Sequence, residues 1–105
     1  MRKIPNDIYS QCYSIAKSYY DMLARRVSFA EDEACNAVSE RNEVKIKAVE
    51  QAWAQMADET EREFIKLNIF EGVRMHYIEL PLSIRSMKRL RAKFIFMLAV
   101  ELNEL

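Results

Sequence analysis

The chain has 105 residues, half of them hydrophobic, which is the length of one domain with enough apolar residues for a modest core. It contains one Gly and two Pro, and because these residues form turns and end helices, their scarcity excludes a turn-rich β fold and predicts an all-α protein. The formal net charge is zero, but residues 1–72 carry 10 Lys and Arg against 13 Asp and Glu, whereas residues 73–105 carry 6 against 3.

The first predicted helix runs from Pro5 or Asn6 to about Val27. Proline is favoured in a first helical turn, and the next side chains can accept hydrogen bonds from its free N–H groups. Residues 28–36 are acidic and lack an apolar stripe, which indicates a loop or a frayed helix end, although no Gly or Pro forbids a continuous helix. The helix has apolar residues at steps of three and four, which predict a packed face: Ile8, Cys12, Ile15, Tyr19 and Met22.

The second predicted helix covers residues 37–56. Ile46, Val49, Trp53 and Met56 form its stripe, and Trp53 is the largest anchor for packing. The first two helices therefore predict an antiparallel hairpin over residues 1–57, and we expect this hairpin to form a dimer or partner surface.

A third helix is expected to begin between Asp58 and Thr60. Thr60 and Glu63 have capping-box spacing, in which each side chain bonds the backbone of the other residue. Gly72, the only glycine, follows the apolar run and predicts the end of the helix, because glycine accepts the left-handed conformation.

The connector over residues 73–82 has room for one short helical turn, which Pro81 ends by about Glu79. The last helix opens at Leu82 or Ser83 and carries five basic residues in its first half, with no acidic residue between Leu80 and Val100. Its other face is apolar: Ile84, Met87, Leu90, Phe94, Leu98 and Leu102, widened by Ile95 and Met97.

Residues 58–105 thus have the order of a helix-turn-helix, which we expect to pack with the hairpin as one compact unit. A recognition helix needs an apolar face against its partners and hydrogen-bond donors on its exposed face. The predicted DNA-contacting residues divide by role: Ser83 and Ser86 to phosphates at the helix start, Arg85, Lys88 and Arg89 to base edges, and Arg91 and Lys93 to the backbone.

Other interpretations of the same helix stay open. A basic helical face can simply be solvated, can lie on an anionic membrane or can bind a protein partner. The second hypothesis is accordingly a small helical adaptor that binds a protein without touching DNA, and the third is a structural helical protein without a separate ligand.

The segments EREFIKLNIFEG at 61–72 and LPLSIRSMKRLRAKFIFMLA at 80–99 resemble the helix-turn-helix of region four in the sigma-70 family. There, a helix ending in a similar FEG leads through a short helix to a recognition helix that opens with S-x-x-T-V. Here the connector is about two residues shorter, and Pro81 replaces a leucine-glycine turn. These two departures from the family pattern predict a truncated scaffold helix.

The opening IPNDIYSQCYSIAKSYYDMLARR and the closing RLRAKFIFMLAVEL resemble small regulators of firmicute phages and prophages, the ArpU-like or RinA-like late-gene regulators. In these, an IPxDIYxQC start and a RWRxRFIxxxA end recur. The resemblance implies a sigma-like transcriptional regulator of phage or prophage genes. The expected partners are double-stranded DNA, RNA polymerase and a second copy of the chain as a homodimer.

The remaining candidates for chemistry are sparse. His76 has no neighbouring ligand or triad partner in sequence, the consecutive Glu31, Asp32 and Glu33 fit a solvated loop, and Cys12 and Cys35 lack zinc or disulfide spacing. We expect no enzyme activity, no cofactor and no metal.

The expected location is the cytoplasm. The N-terminus has no secretory-leader pattern, and the longest apolar run, FIFMLAV at 94–100, is far shorter than the roughly 18–20 residues of a membrane span. We therefore expect no membrane partner.

Overall fold

The structure, a computed structural model, describes residues 4–29 and 36–104. Within these ranges it is all-α, as predicted, and contains no strand. A single-turn 3-10 helix at Met75–Tyr77 precedes the last helix. The five α-helices are α1 (Asn6–Lys17), α2 (Tyr19–Phe29), α3 (Asn36–Ala54), α4 (Glu59–Ile65) and α5 (Ile84–Glu101).

The first predicted helix is divided at Ser18. The Ser18 hydroxyl donates to the Ser14 carbonyl at 2.9 Å, and the Ser18 N–H donates to the carbonyls of both Ser14 and Ile15. A serine that bonds back to the preceding turn bends a helix, which accounts for the boundary between α1 and α2. Helical structure continues to Phe29 and resumes at Asn36, so the predicted acidic loop over residues 28–36 is helical at both of its ends. Residues 30–35, with Glu31, Asp32, Glu33 and Cys35, lie outside the described residues.

α2 and α3 form the antiparallel pair of the predicted hairpin. The Tyr19 hydroxyl donates to Glu50 Oε2 at 2.8 Å, and Arg26 donates to Glu43 Oε2 at 3.0 Å. From Tyr19 to Arg26 the chain advances two turns along α2, while their partners run two turns back along α3, from Glu50 to Glu43, so the two helices are antiparallel. Met22 of α2 and Val49 of α3 are both buried, so the apolar stripes predicted for these helices face the core.

The N-cap of α4 is Asp58, and the capping box predicted at Thr60 is wrong by two residues. Asp58 Oδ1 accepts from the Glu61 N–H at 2.9 Å, while Glu61 Oε1 reaches back to the N–H of Ala57 at 3.2 Å. An aspartate N-cap also adds a negative charge at the positive end of the helix, which a threonine cannot do.

A π-helix at Lys66–Phe70 continues α4 and brings Phe70 into the centre of the core. The wider turn rotates the side chains that follow it relative to a regular α-helix. Phe70 is 6% exposed and lies against four aromatic rings at centroid distances of 4.8 to 6.2 Å: Tyr19, Tyr20, Trp53 and Phe94.

One core joins the two predicted halves. Cys12 and Ala16 of α1 are fully buried, as are Phe94 and Leu98 of α5, and all belong to the same cluster of buried residues. Gln55, after α3, donates to Glu101 Oε1 of α5 at 2.7 Å. No helix in the described part of the chain is long and apolar enough to cross a lipid bilayer.

Candidate nucleic-acid interface

α5 begins where the sequence predicts, with Ser83 as its N-cap. Ser83 Oγ accepts from the Ser86 N–H at 3.1 Å and donates its own proton to Ser86 Oγ at 3.0 Å. The Ser83 hydroxyl is thus used in the cap, whereas the Ser86 hydroxyl keeps its proton for an outside acceptor. Of the two predicted phosphate donors, Ser86 is half-buried and Ser83 is exposed.

Arg85, Lys88 and Arg89 are brought together on one exposed face in the first half of α5. Residues three and four apart are neighbours on a helix surface, so these three side chains form one patch. None of them is in an ion pair with another described residue. The opposite face, with Met87, is buried in the core, so the helix can present the patch without exposing apolar surface.

Arg91 and Lys93 lie on opposite flanks of this patch, since two residues span about 200° of a helix. The Arg91 guanidinium lies 5.7 Å from the centre of the Tyr13 ring of α1, and Lys93 Nζ lies 3.9 Å from Glu61 Oε1 of α4. Both side chains are half-buried. Together with Arg85, Lys88 and Arg89 they make up what we call the basic face.

The connector that leads into the basic face is a 3-10 turn in place of a second full helix. Gly72 has φ +73°, which an L side chain rarely adopts, and the Val73 N–H donates to the Leu67 carbonyl at 2.9 Å, closing the preceding helix. Ile78 is buried, so the connector is held against the core although it has only one helical turn. The predicted short turn and its end before Glu79 are confirmed.

Tyr13, Lys17 and Arg74 lie beside Arg91; the sequence favours packing over base stacking for Tyr13 and gives no signal for Lys17 or Arg74. Lys17 Nζ is 5.4 Å from the centre of the Tyr13 ring, and all four residues line one groove. Tyr13 belongs to an aromatic series in α1 that suggests packing, and nothing in the local sequence links it to a basic residue 78 positions later. His76, which lines the same groove, is exposed.

Within residues 4–29 and 36–104, no three His, Cys, Asp or Glu side chains are placed together to hold a metal ion. Comparisons of this chain with protein-family models, with curated proteins and with solved structures find no match.

Proposed function

We propose that this protein is a DNA-binding transcriptional regulator of phage or prophage type, with α5 as its recognition helix. The observation that carries the proposal is the patch of Arg85, Lys88 and Arg89, which is exposed, free of ion pairs with described residues and backed by a buried apolar face. Arginine can bind guanine O6 and N7 through two hydrogen bonds, and lysine binds phosphate or a base edge as a point charge.

The geometry around the patch supports this role. The capped start of α5 adds a positive helix end near Ser86, and Arg91 and Lys93, on the two flanks of the patch, would contact the phosphate backbone. The helix, short turn and helix order of residues 59–101 is compatible with a helix-turn-helix whose middle helix is reduced to a single turn.

Binding of a mixed-sequence DNA duplex, measured by fluorescence anisotropy at about 50 and 200 mM salt, tests the proposal. The triple variant R85A/K88A/R89A should lose most of the affinity. A control triple, R25A/R26A/K47A, removes the same charge from exposed positions of α2 and α3 and should bind as the wild type does. Absence of binding by the wild type, or equal losses in both triples, would contradict DNA recognition by α5.

The proposal includes a homodimer, since a two-fold dimer would place two recognition helices on successive turns of DNA. Val44 of α3 is 64% exposed and lies with half-buried Ile15 and Leu102 at one groove, which supports an apolar contact there. Sedimentation of the wild type and of a Val44→Glu variant tests it, with a dimer expected for the first and a monomer for the second. A wild type that sediments as a monomer at the concentrations used for DNA binding would contradict the homodimer.

The second candidate is a protein-binding adaptor, with RNA polymerase as the expected partner. It is favoured by the exposed side of α5 beyond the patch, where Phe96 is half-buried and Val100 is 48% exposed. Purified RNA polymerase should then bind the R85A/K88A/R89A variant as well as the wild type, but should bind a Phe96→Ser/Val100→Ser variant less. The opposite pattern excludes the adaptor mode.

A further inference from the structure

A groove of about 350 Å³ opens beside the basic face, between α1, the connector and α5. α1 contributes Tyr13 and Lys17, the connector contributes residues from Gly72 to His76, and α5 contributes Arg91. None of Arg85, Lys88 and Arg89 lines it, so it is a separate site from the predicted patch.

The groove concentrates positive charge without a balancing carboxylate. Lys17, Arg74 and Arg91 line it, and no Asp or Glu does. No described carboxylate lies within 4.0 Å of any of the three cations. Lys17 Nζ and the Arg91 guanidinium lie against the same Tyr13 ring, at 5.4 and 5.7 Å from its centre. Each cation is attracted by the ring, and three cations that line one groove without a carboxylate favour the binding of an anion there.

Asn68 lines the groove and ties its floor to the start of the connector. It is 7% exposed, its Nδ2 donates to the Val73 carbonyl at 3.0 Å, and its Oδ1 accepts no hydrogen bond from a described residue. Because Oδ1 is itself buried, the amide shapes the wall of the groove, and the cations alone would hold an anion.

The groove is continuous with the basic face. Lys88 and Arg91 are three residues apart on α5 and are therefore neighbours on its surface. A duplex lying on Lys88 would therefore pass close to Arg91, and the other groove residues come from α1 and the connector, outside the recognition helix. This is the arrangement expected of a flanking phosphate contact, which fixes the register of a protein on DNA without reading bases.

We propose that this groove binds a phosphate of the DNA backbone through Lys17, Arg74 and Arg91, next to the site where α5 meets the bases. The inference rests on the proposed DNA-binding function and adds a second element, α1, to the interface. It predicts that α1 contributes to affinity in a sequence-independent and salt-dependent way.

The test uses the double variant K17A/R74A, which leaves α5 intact, and the control double R25A/K47A, which removes two exposed cations from α2 and α3. Affinity for duplex DNA is measured across a salt series. Each lost phosphate contact should lower the log–log salt slope by about 0.9, and the groove binds one phosphate, so a decrease of up to about 0.9 is expected for K17A/R74A and none for the control. Losses should be equal for different duplex sequences.

An unchanged slope in K17A/R74A, or the same change in both doubles, would overturn the groove contact while leaving recognition by α5 in place. If only R85A/K88A/R89A loses DNA binding, the groove contact is excluded and recognition by α5 is supported. A wild type that binds no DNA overturns both proposals. Far-ultraviolet circular dichroism of each variant checks that the helices are formed, since Lys17 and Arg74 are exposed and their removal should leave the core intact.

Discussion

At the scale of single residues, Tyr19 shows how a buried side chain couples stability to pH. Its ring is 6% exposed and packs against Phe70 with a centroid distance of 4.8 Å, while its hydroxyl donates to Glu50. Burial and the hydrogen bond to Glu50 raise the pKa of Tyr19 to about 12. The ordinary pKa of a tyrosine is about 10, so the unfolded chain loses this proton first.

Between these two pKa values the folded state binds more protons than the unfolded state, and stability therefore falls as pH rises from about 10 to about 12. Tyr19→Phe removes the hydroxyl, and we expect it to cost about 1 to 2 kcal/mol at neutral pH because Glu50 loses a hydrogen bond. The difference between wild type and variant should shrink above pH 10. Urea unfolding of both proteins across this range measures it, and a difference that is constant with pH would contradict the assignment.

At the scale of elements, the continuous helix formed by α4 and the π-helix after it has each of its ends set by one residue. Asp58 caps the start, the π-turn rotates Phe70 into the core, and Gly72 ends the helix in a left-handed conformation. This helix precedes the connector that directs α5, so its ends position the basic face.

The cap can be tested with neighbouring substitutions. Asp58→Ala should lower the free energy of unfolding by about 1 kcal/mol, because the Glu61 N–H loses its acceptor. Thr60→Ala should change it by less than about 0.5 kcal/mol, since Thr60 lies inside the helix and alanine has the higher helix propensity. Denaturant unfolding of the two variants measures both changes. A larger loss of unfolding free energy for Thr60→Ala than for Asp58→Ala would support Thr60 as the N-cap expected from sequence.

At the scale of the whole molecule, the hairpin and the C-terminal helices share one core. Cys12 lies in that core with no exposed surface, among residues contributed by α1, α3 and α5. Burial, and after it the charge of Glu104, raises the pKa of the Cys12 thiol, so the reactive thiolate is disfavoured in the folded state.

A thiol-labelling experiment follows from this. In a Cys35→Ser variant, labelling of Cys12 should be at least about 10³-fold slower than in denaturant, because the two parts must unfold together to expose it. The free energy derived from labelling should equal that from global unfolding. Labelling at a much lower free energy would mean that residues 1–57 open independently of the rest.

Much of the fold could be predicted because helical periodicity is a local property. Apolar residues spaced three and four positions apart predicted which faces of α1, α3 and α5 are buried. The scarcity of Gly and Pro predicted the all-α fold. The exposure of Arg85, Lys88 and Arg89 follows from the same rule, because the residues opposite an apolar stripe face solvent.

Only the tertiary structure shows which side chains of different helices contact each other. It places Glu43 with Arg26 of α2, Phe70 among four aromatic rings and Arg91 beside Tyr13 and Lys17. Periodicity predicts which face of a helix is buried but not which other helix covers that face. The covering helix depends on crossing angles and on local irregularities such as the bend at Ser18 and the π-helix after α4. The basic patch was therefore visible in the sequence, whereas the groove beside it exists only because folding brings α1 against α5.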